Sequence, residues 1–224
     1  MSPVRPARNL SVLLKQGTVA LGVSLDDAAF QRCLDYIALL SDWNRAYNLT
    51  AVRDPERMVP LHLLDSLTVL PHLGAGNCLD IGTGAGLPGL ILAIARPDTH
   101  WLLLDSNHKK IRFVSHAISR LGVANAEAVC CRVEAYRSPR EFSALTARAC
   151  GSLGHVYRHA RHLMAPATRL LLMKGPDIRN ELAQLDGEDI SLAIHTLKVP
   201  GVARGRTLVV VQPAQAAVCP EPDC

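Results

Sequence analysis

The stretch CLDIGTGAGLPGL, Cys78 to Leu90, limits the fold more than any other part of the chain. An apolar run closes on Asp80 and Ile81, Gly82, Gly84, Gly86 and Gly89 follow in quick succession, and an apolar pattern of helical spacing resumes at Leu87. A strand, a glycine turn and a helix in direct succession form the opening unit of a parallel α/β sheet. Glycine is also the residue that lets backbone approach a ligand closely. Gly84, Gly86 and Gly89 satisfy the G-x-G-x-x-G spacing of dinucleotide sites, a match too common to name a ligand alone.

The rest of the chain fits that unit. Short apolar runs at 77–81, 100–105, 126–132, 143–149 and 169–174 alternate with amphipathic stretches at 87–96, 108–121 and 153–164, which argues for a parallel sheet flanked by helices. Near the end, ISLAIHTLKVP and RTLVVVQP are separated only by GVARG, too short for a crossover helix, so they should pair as an antiparallel hairpin. Upstream, from Leu10 to about Ala51, the periodicity is helical. Ser24 is the expected N-cap there, with Phe30, Leu34, Ile37 and Leu40 on one stripe and Leu39, Trp43 and Tyr47 beside it. Asp54-Pro55-Glu56 restarts a helix that Pro60 should break or kink. The expected organisation is a helical extension over 1–75 packed on a catalytic domain of 76–213, with a disordered tail at 214–224.

At 224 residues and 49% apolar composition the chain can bury a sizeable core. No apolar window is long enough to span a membrane, and MSPVRPARNL lacks the apolar core of a signal peptide, so a cytoplasmic protein is expected. The seven cysteines include no C-x-x-C pair, which points to buried thiols and no metal; Cys219 and Cys224 alone would make a poor metal site. A net charge of +4 permits a polyanionic partner. Aromatic residues are only 4%, which argues against a stacking platform for RNA and leaves Tyr47 or Tyr136 as single candidates to stack on a base, with Trp43 assigned to the core.

Asp80, two residues before Gly82, is expected against a cationic end of the ligand, where a pyrophosphate would be unwelcome. Asp105 closes the next apolar run, where a carboxylate meets ribose hydroxyls. The set Asp80, Gly82, Gly84, Gly86 and Asp105 resembles the S-adenosylmethionine signature of class I methyltransferases. That Rossmann-like α/β sheet is mostly parallel with a final antiparallel strand, in agreement with the terminal hairpin. The other reading makes Asp80 a helix-capping carboxylate and the glycines a tight turn. A nicotinamide-dependent oxidoreductase would use the same glycines and Asp105 but leave Asp80 unexplained.

No D/N-P-P-Y/F element follows the fourth strand, where ALTARAC stands. Arg148 occupies the place of an acid in the Lys-Asp-Lys-Glu tetrad of ribose methyltransferases, and no Pro-Cys nucleophile is visible. An acceptor with its own lone pair, such as a purine ring nitrogen, needs no general base; orientation carries the rate. In order along the chain, WNRAYNLTAVRDPERM, HLLDS, LDIGTGAGLPGL, LLDS, CRVEAY, ARAC and MKG are together similar to the bacterial 16S ribosomal RNA guanine-N7 methyltransferases, over about Leu10 to Gln212.

That resemblance implies methyl transfer from S-adenosylmethionine to N7 of one guanine in the RNA of the small ribosomal subunit; the chain is expected to act as a monomer. A non-catalytic RNA-binding or ribosome-assembly protein on the same fold is the alternative. The resemblance places cofactor contacts on Gly82, Leu87, Val133, Glu134 and Arg148. Arg148 would hold either the methionine carboxylate or RNA, and Lys174 is the preferred donor or phosphate ligand unless it snorkels to solvent. Asn48, His62, Asp65 and Arg132 complete the expected substrate side, although His62 and Asp65, three apart on one helix face, form a structural pair equally well. Basic residues gather in HKKIR, CRVEAYRSPR and VYRHARH as a phosphate-tracking face or a solvated one.

Overall fold

The computed structural model describes residues 6–214, so Cys219, Cys224 and the tail beyond Ala214 lie outside the described residues. Seven strands form one sheet: β1 (Gly76–Ile81), β2 (Thr99–Asp105), β3 (Ala126–Cys130), β4 (Ala144–Arg148), β5 (Arg169–Lys174), β6 (Ile190–Leu197) and β7 (Arg206–Pro213). Their order is β3-β2-β1-β4-β5-β7-β6. The first five are parallel, whereas β7 is inserted antiparallel between β5 and β6, so the expected hairpin forms. β2 and β5 carry the continuous apolar runs WLLL and LLLM because helices cover both faces.

Alternation along the strands divides the apolar residues between two layers. Leu103, Leu171, Met173, Leu208 and Val210 face one layer with Leu90, Ile91 and Phe113. Leu102, Leu104, Leu170, Leu172, Val209 and Val211 face the other with Leu153 and Val156. The flanking helices are α5 (Gly89–Ala95), α6 (His108–Leu121) and α7 (Leu153–Ala160). α7 is shorter than expected because its last turn tightens to a 3-10 turn at Arg161–Leu163. In α6 the Asn107 side chain caps the first turn, accepting from the backbone N–H groups of Lys109 and Lys110, and Gly122 ends the helix at φ 62°.

The residues before β1 form α1 (Pro6–Leu21), α2 (Asp27–Tyr47), α3 (Pro55–Met58) and α4 (Asp65–Leu67), and they share the first layer through Leu14, Tyr36, Leu40 and Leu63. Three expectations need correction here. Asp26, not Ser24, caps α2, its Oδ1 accepting from the Ala29 N–H at 2.7 Å. The buried stripe of α2 runs through Ala29, Cys33, Tyr36, Ile37, Leu40 and Asn44; Ile37 and Leu40 are buried as expected, but in the first turns Ala29 and Cys33 replace Phe30 and Leu34, which lie half-buried at the rim. Pro60 does not break the chain: lacking an N–H, it is absorbed by a π-helical run, Val59–Leu64, that leads straight into α4. Cys33 and Cys78 are buried as expected, but Cys130, Cys131 and Cys150 are only half-buried.

Candidate active site

Between β1 and α5 the backbone takes left-handed values at Gly82, Gly84 and Gly86, with φ of 65°, 61° and 86°. Side chains rarely adopt that region. The Thr83 N–H donates to the Leu104 carbonyl at 2.9 Å, which ties the turn to the neighbouring strand.

Asp80 sits behind this turn. Fully buried, it accepts from Thr83 Oγ1 at 2.6 Å, the Gly89 N–H at 3.0 Å and Thr146 Oγ1 at 2.8 Å. The expected contact with a ligand's cationic end is therefore replaced by an internal one, and Asp80 holds the loop and caps α5. Burial pushes its carboxyl up to about 6, against the pull of those three donors. Its capping geometry says nothing about the ligand's charge, so Asp80 no longer separates a sulfonium cofactor from a dinucleotide.

Two cavities flank the loop at the carboxyl ends of the parallel strands, where open α/β sheets bind ligands. The smaller, about 150 Å³, is lined by Gly82, Asp105, Ser106, Cys131, Arg132, Val133, Glu134 and Cys150 among others. Asp105 accepts from the Gly84 N–H at 3.0 Å and the Asn107 N–H at 2.9 Å, and Lys110 Nζ lies 3.4 Å from it. Val133 is half-buried, Glu134 exposed. Burial raises the Cys150 thiol to about 11, so it carries no thiolate nucleophile near neutrality.

The larger cavity, about 510 Å³, is walled by Gly82 to Ala85 and Leu87 on one side and by Leu49, Thr50, Val52, Leu61, His62 and Asp65 on the other. Buried Asn44 braces the second wall, donating to the Thr50 and Val52 carbonyls and accepting from the Thr50 N–H. His62 Nε2 pairs with Thr50 Oγ1 at 3.0 Å, while Nδ1 is buried without a partner among the described residues. Burial, with the Arg148 guanidinium nearby, pushes the His62 imidazole down to about 4, which keeps it neutral.

Asp65 is 2% exposed and carries the polar centre of this wall. Arg148 Nη1 donates to its Oδ2 at 2.9 Å and to the Leu61 carbonyl at 3.1 Å; Arg206 Nε donates to its Oδ1 at 3.0 Å. His62 and Asp65 share the cavity but are not hydrogen-bonded to each other. Lys174 lines the same cavity, with its Nζ donating to Glu181 Oε2 at 2.7 Å and to the Gly151 carbonyl, so it is anchored and does not snorkel.

Asn48 lies at the rim, left-handed at φ 49° and accepting from Arg53, outside both cavities. Arg132 is exposed and lines the smaller cavity, not the larger one. Neither stacking candidate lines these cavities: Tyr47 packs on Trp43 under Arg112, and Tyr136 borders a separate hollow at the opposite end of the strands. Trp43 is half-buried against Phe113 and His116, at the margin of the core. Arg206, Thr50, Thr83 and Thr146 were not anticipated. A signal for Arg206 existed in the hairpin itself: a strand running antiparallel presents its first residue, not its last, at the edge where the parallel strands end.

Among the described residues no helix is long and apolar enough to cross a membrane, and no cluster of three or more His, Cys, Asp or Glu side chains is arranged to hold a metal. The strand order and loop are those of a class I methyltransferase. Among solved structures the fold is similar to the O-methyltransferase TomG from Streptomyces achromogenes, solved in complex with S-adenosylmethionine, at TM-score 0.57 and 16% identity over 93% of this chain and 100% of that one. It is also similar to precorrin-6y C5,15-methyltransferase from Geobacter metallireducens, at TM-score 0.53 and 12% identity over 74% and 93% of the two chains.

The family described as rRNA small subunit methyltransferase G matches residues 29–210. Curated ribosomal RNA small subunit methyltransferase G proteins are similar over most of their length: that of Pseudomonas paraeruginosa is 46% identical over 200 residues, 89% of this chain and 94% of its own. That of Nitrosospira multiformis is 42% identical over 213 residues, 92% and 99% respectively. The chain belongs to the rRNA small subunit methyltransferase G family.

Proposed function

We propose that this protein transfers a methyl group from S-adenosylmethionine to N7 of a guanine in 16S ribosomal RNA, free or within the small subunit, acting in the cytoplasm as a monomer without a metal. The residues present fit the cofactor. Gly84 turns left-handed with only the Gly82 carbonyl near the place a Cβ would take, which leaves a backbone cradle open. Asp105 would take the ribose hydroxyls, Val133 and Glu134 would flank the adenine, and Gly82, Leu87 and Arg148 would hold the methionine end. The bound cofactor supplies an electrophilic methyl group on a cationic sulfur.

One observation favours a ring nitrogen as acceptor: among the described residues lining the larger cavity, the single imidazole and the single carboxylate are both poorly placed to act as a general base. His62 is a very weak base at about 4, and Asp65 is held between two guanidinium groups. Guanine N7 has an in-plane lone pair and no proton to lose, so holding the base in line is sufficient chemistry. Recognition must leave N7 free, which directs donors to O6 and acceptors to the N1 and N2 hydrogens. Asn48 and Arg132 would reach RNA from the rim.

The test is mass spectrometry of nucleosides from small-subunit RNA of a deletion strain, complemented with the wild-type gene or with Asp105→Ala. One 7-methylguanosine, lost on deletion and restored only by the wild type, is the expected result. A level unaffected by deletion refutes the N7 assignment, and failure of the purified protein to bind S-adenosylmethionine favours a non-catalytic assembly role.

A further inference from the structure

Four cations line the larger cavity: Lys110, Arg148, Lys174 and Arg206. Lys110 faces Asp105, Lys174 is anchored to Glu181 and the Gly151 carbonyl, and Arg148 is held by Asp65 and the Leu61 carbonyl. Arg206 is held differently. Only its Nε is engaged, on Asp65 Oδ1, and neither Nη has a partner among the described residues. A guanidinium fixed by its Nε keeps its end-on pair of Nη groups for a second anion with two oxygens. Its side chain is 23% exposed, open to the cavity but not loose in solvent.

Topology decides which anion. The glycine loop follows β1, and β7 is the third strand over, through β4 and β5. At about 4.8 Å per strand, Arg206 stands roughly 14 Å from the edge that carries the loop. Arg148 on β4, adjacent to β1, is the guanidinium within reach of the cofactor end, and Arg206 lies on the acceptor side. The chemistry points the same way. Alkylation at N7 puts positive charge on the purine, so a bare guanidinium against the base would oppose it. A guanidinium neutralised between Asp65 and a phosphodiester would not.

We infer that Arg206 grips a phosphodiester flanking the guanine to be methylated, its fork set by Asp65 as a positioning residue. This rests on the RNA reading above. Asp65 thereby couples the two sides of the cavity: one carboxylate orients Arg148 towards the cofactor end and Arg206 towards the RNA backbone.

The experiment measures binding of 16S RNA to the full-length protein across a salt series, alongside methylation kinetics and S-adenosylmethionine affinity. Arg206→Gln should weaken RNA binding roughly tenfold or more at low salt and reduce the slope of log affinity against log salt by about 1. Cofactor affinity should stay within about twofold of wild type, because Arg206 stands several strands from the glycine loop. Arg206→Lys keeps the charge without the fork, so the slope should hold while affinity falls severalfold; this variant carries the test if the glutamine protein does not fold. Asp65→Asn should raise KM for RNA with the salt slope intact. An RNA affinity and salt slope unchanged in Arg206→Gln, or in the lysine variant an unchanged affinity, overturns the inference. A wild-type protein that binds RNA with the Arg206-dependent slope yet forms no 7-methylguanosine would instead overturn the N7 reading and leave the phosphate grip standing.

Discussion

The two walls of the larger cavity are built in opposite ways. One is a single turn, Asp80 to Gly89, made of backbone conformation and closed by hydrogen bonds from Thr83, Gly89 and Thr146. The other is assembled from Thr50, His62, Asp65, Arg148, Lys174 and Arg206, drawn from nearly the whole chain and joined through side chains. The first wall depends on glycine backbone at positive φ, fixed from behind by the buried Asp80 carboxylate. In the second, one carboxylate, Asp65, holds both guanidinium groups.

The largest expected effect strikes the charged wall. Asp65→Ala leaves two guanidinium groups, each less than a quarter exposed, facing each other without their acceptor. It should cost roughly 3 kcal/mol in denaturant unfolding. On the backbone wall Gly89→Ala should cost roughly as much or slightly less, about 2–3 kcal/mol, through overpacking. A Cβ there would lie 2.4 Å from Leu103 Cδ2 and 2.6 Å from Asp80 Cβ. Gly205→Ala, beside Arg206 on the other wall, has nothing within 4 Å of its new methyl group. It should change stability by less than about 0.5 kcal/mol. Equal costs for the two glycine variants would break the contrast.

pH separates the walls by sign. The His62 imidazole, lowered to about 4, contributes stability that is present above its ordinary pKa near 6.5 and is lost as pH falls towards 4. His62→Gln should remove up to about 3 kcal/mol of that acid sensitivity. Asp80 has the reverse sign: raised to about 6 in the fold, it favours the folded state most below about 4 and loses that contribution as pH rises through 6. Asp80→Asn should flatten this limb. The smallest effect is the sharpest for assignment. Asn can donate to Thr146 Oγ1 and still accept from Thr83 and the Gly89 N–H, so calorimetry should find S-adenosylmethionine affinity changed by less than about fivefold. A loss of a hundredfold would return Asp80 to direct cofactor contact.

The same contrast explains how much was readable in advance. The glycine turn, the carboxylate at the end of β2 and the terminal hairpin follow from residues close in sequence, and there composition and spacing speak for themselves. Asp80 was misplaced because its spacing to Gly82 gives proximity to the loop but not the side on which it lies, and Thr146, which helps bury it, comes 66 residues later. Ser24 lost the cap to Asp26 since both are good caps and only the packing of Ala29 selects the register. Arg206 is hidden by a matter of direction: the parallel strands bring their last residues to the site, whereas antiparallel β7 brings its first. Asp65 was seen as a helix neighbour of His62, whereas its partners lie 83 and 141 residues away.

The Asp65 bridge has a consequence for the order in which the molecule becomes competent. A growing chain meets the glycine turn early, and β1 and β2, 23 residues apart in register, can pair beside it before β4 arrives. Asp65 gains its second guanidinium only when residue 206 is laid down and β7 slots between β5 and β6. Contacts across such sequence distances form late, after the entropy of closing the loop has been met. The glycine-turn wall can thus be in place while the Asp65 bridge is still unfinished, and a polypeptide stopped short of its last strand would lack one of the two guanidinium groups that this carboxylate holds.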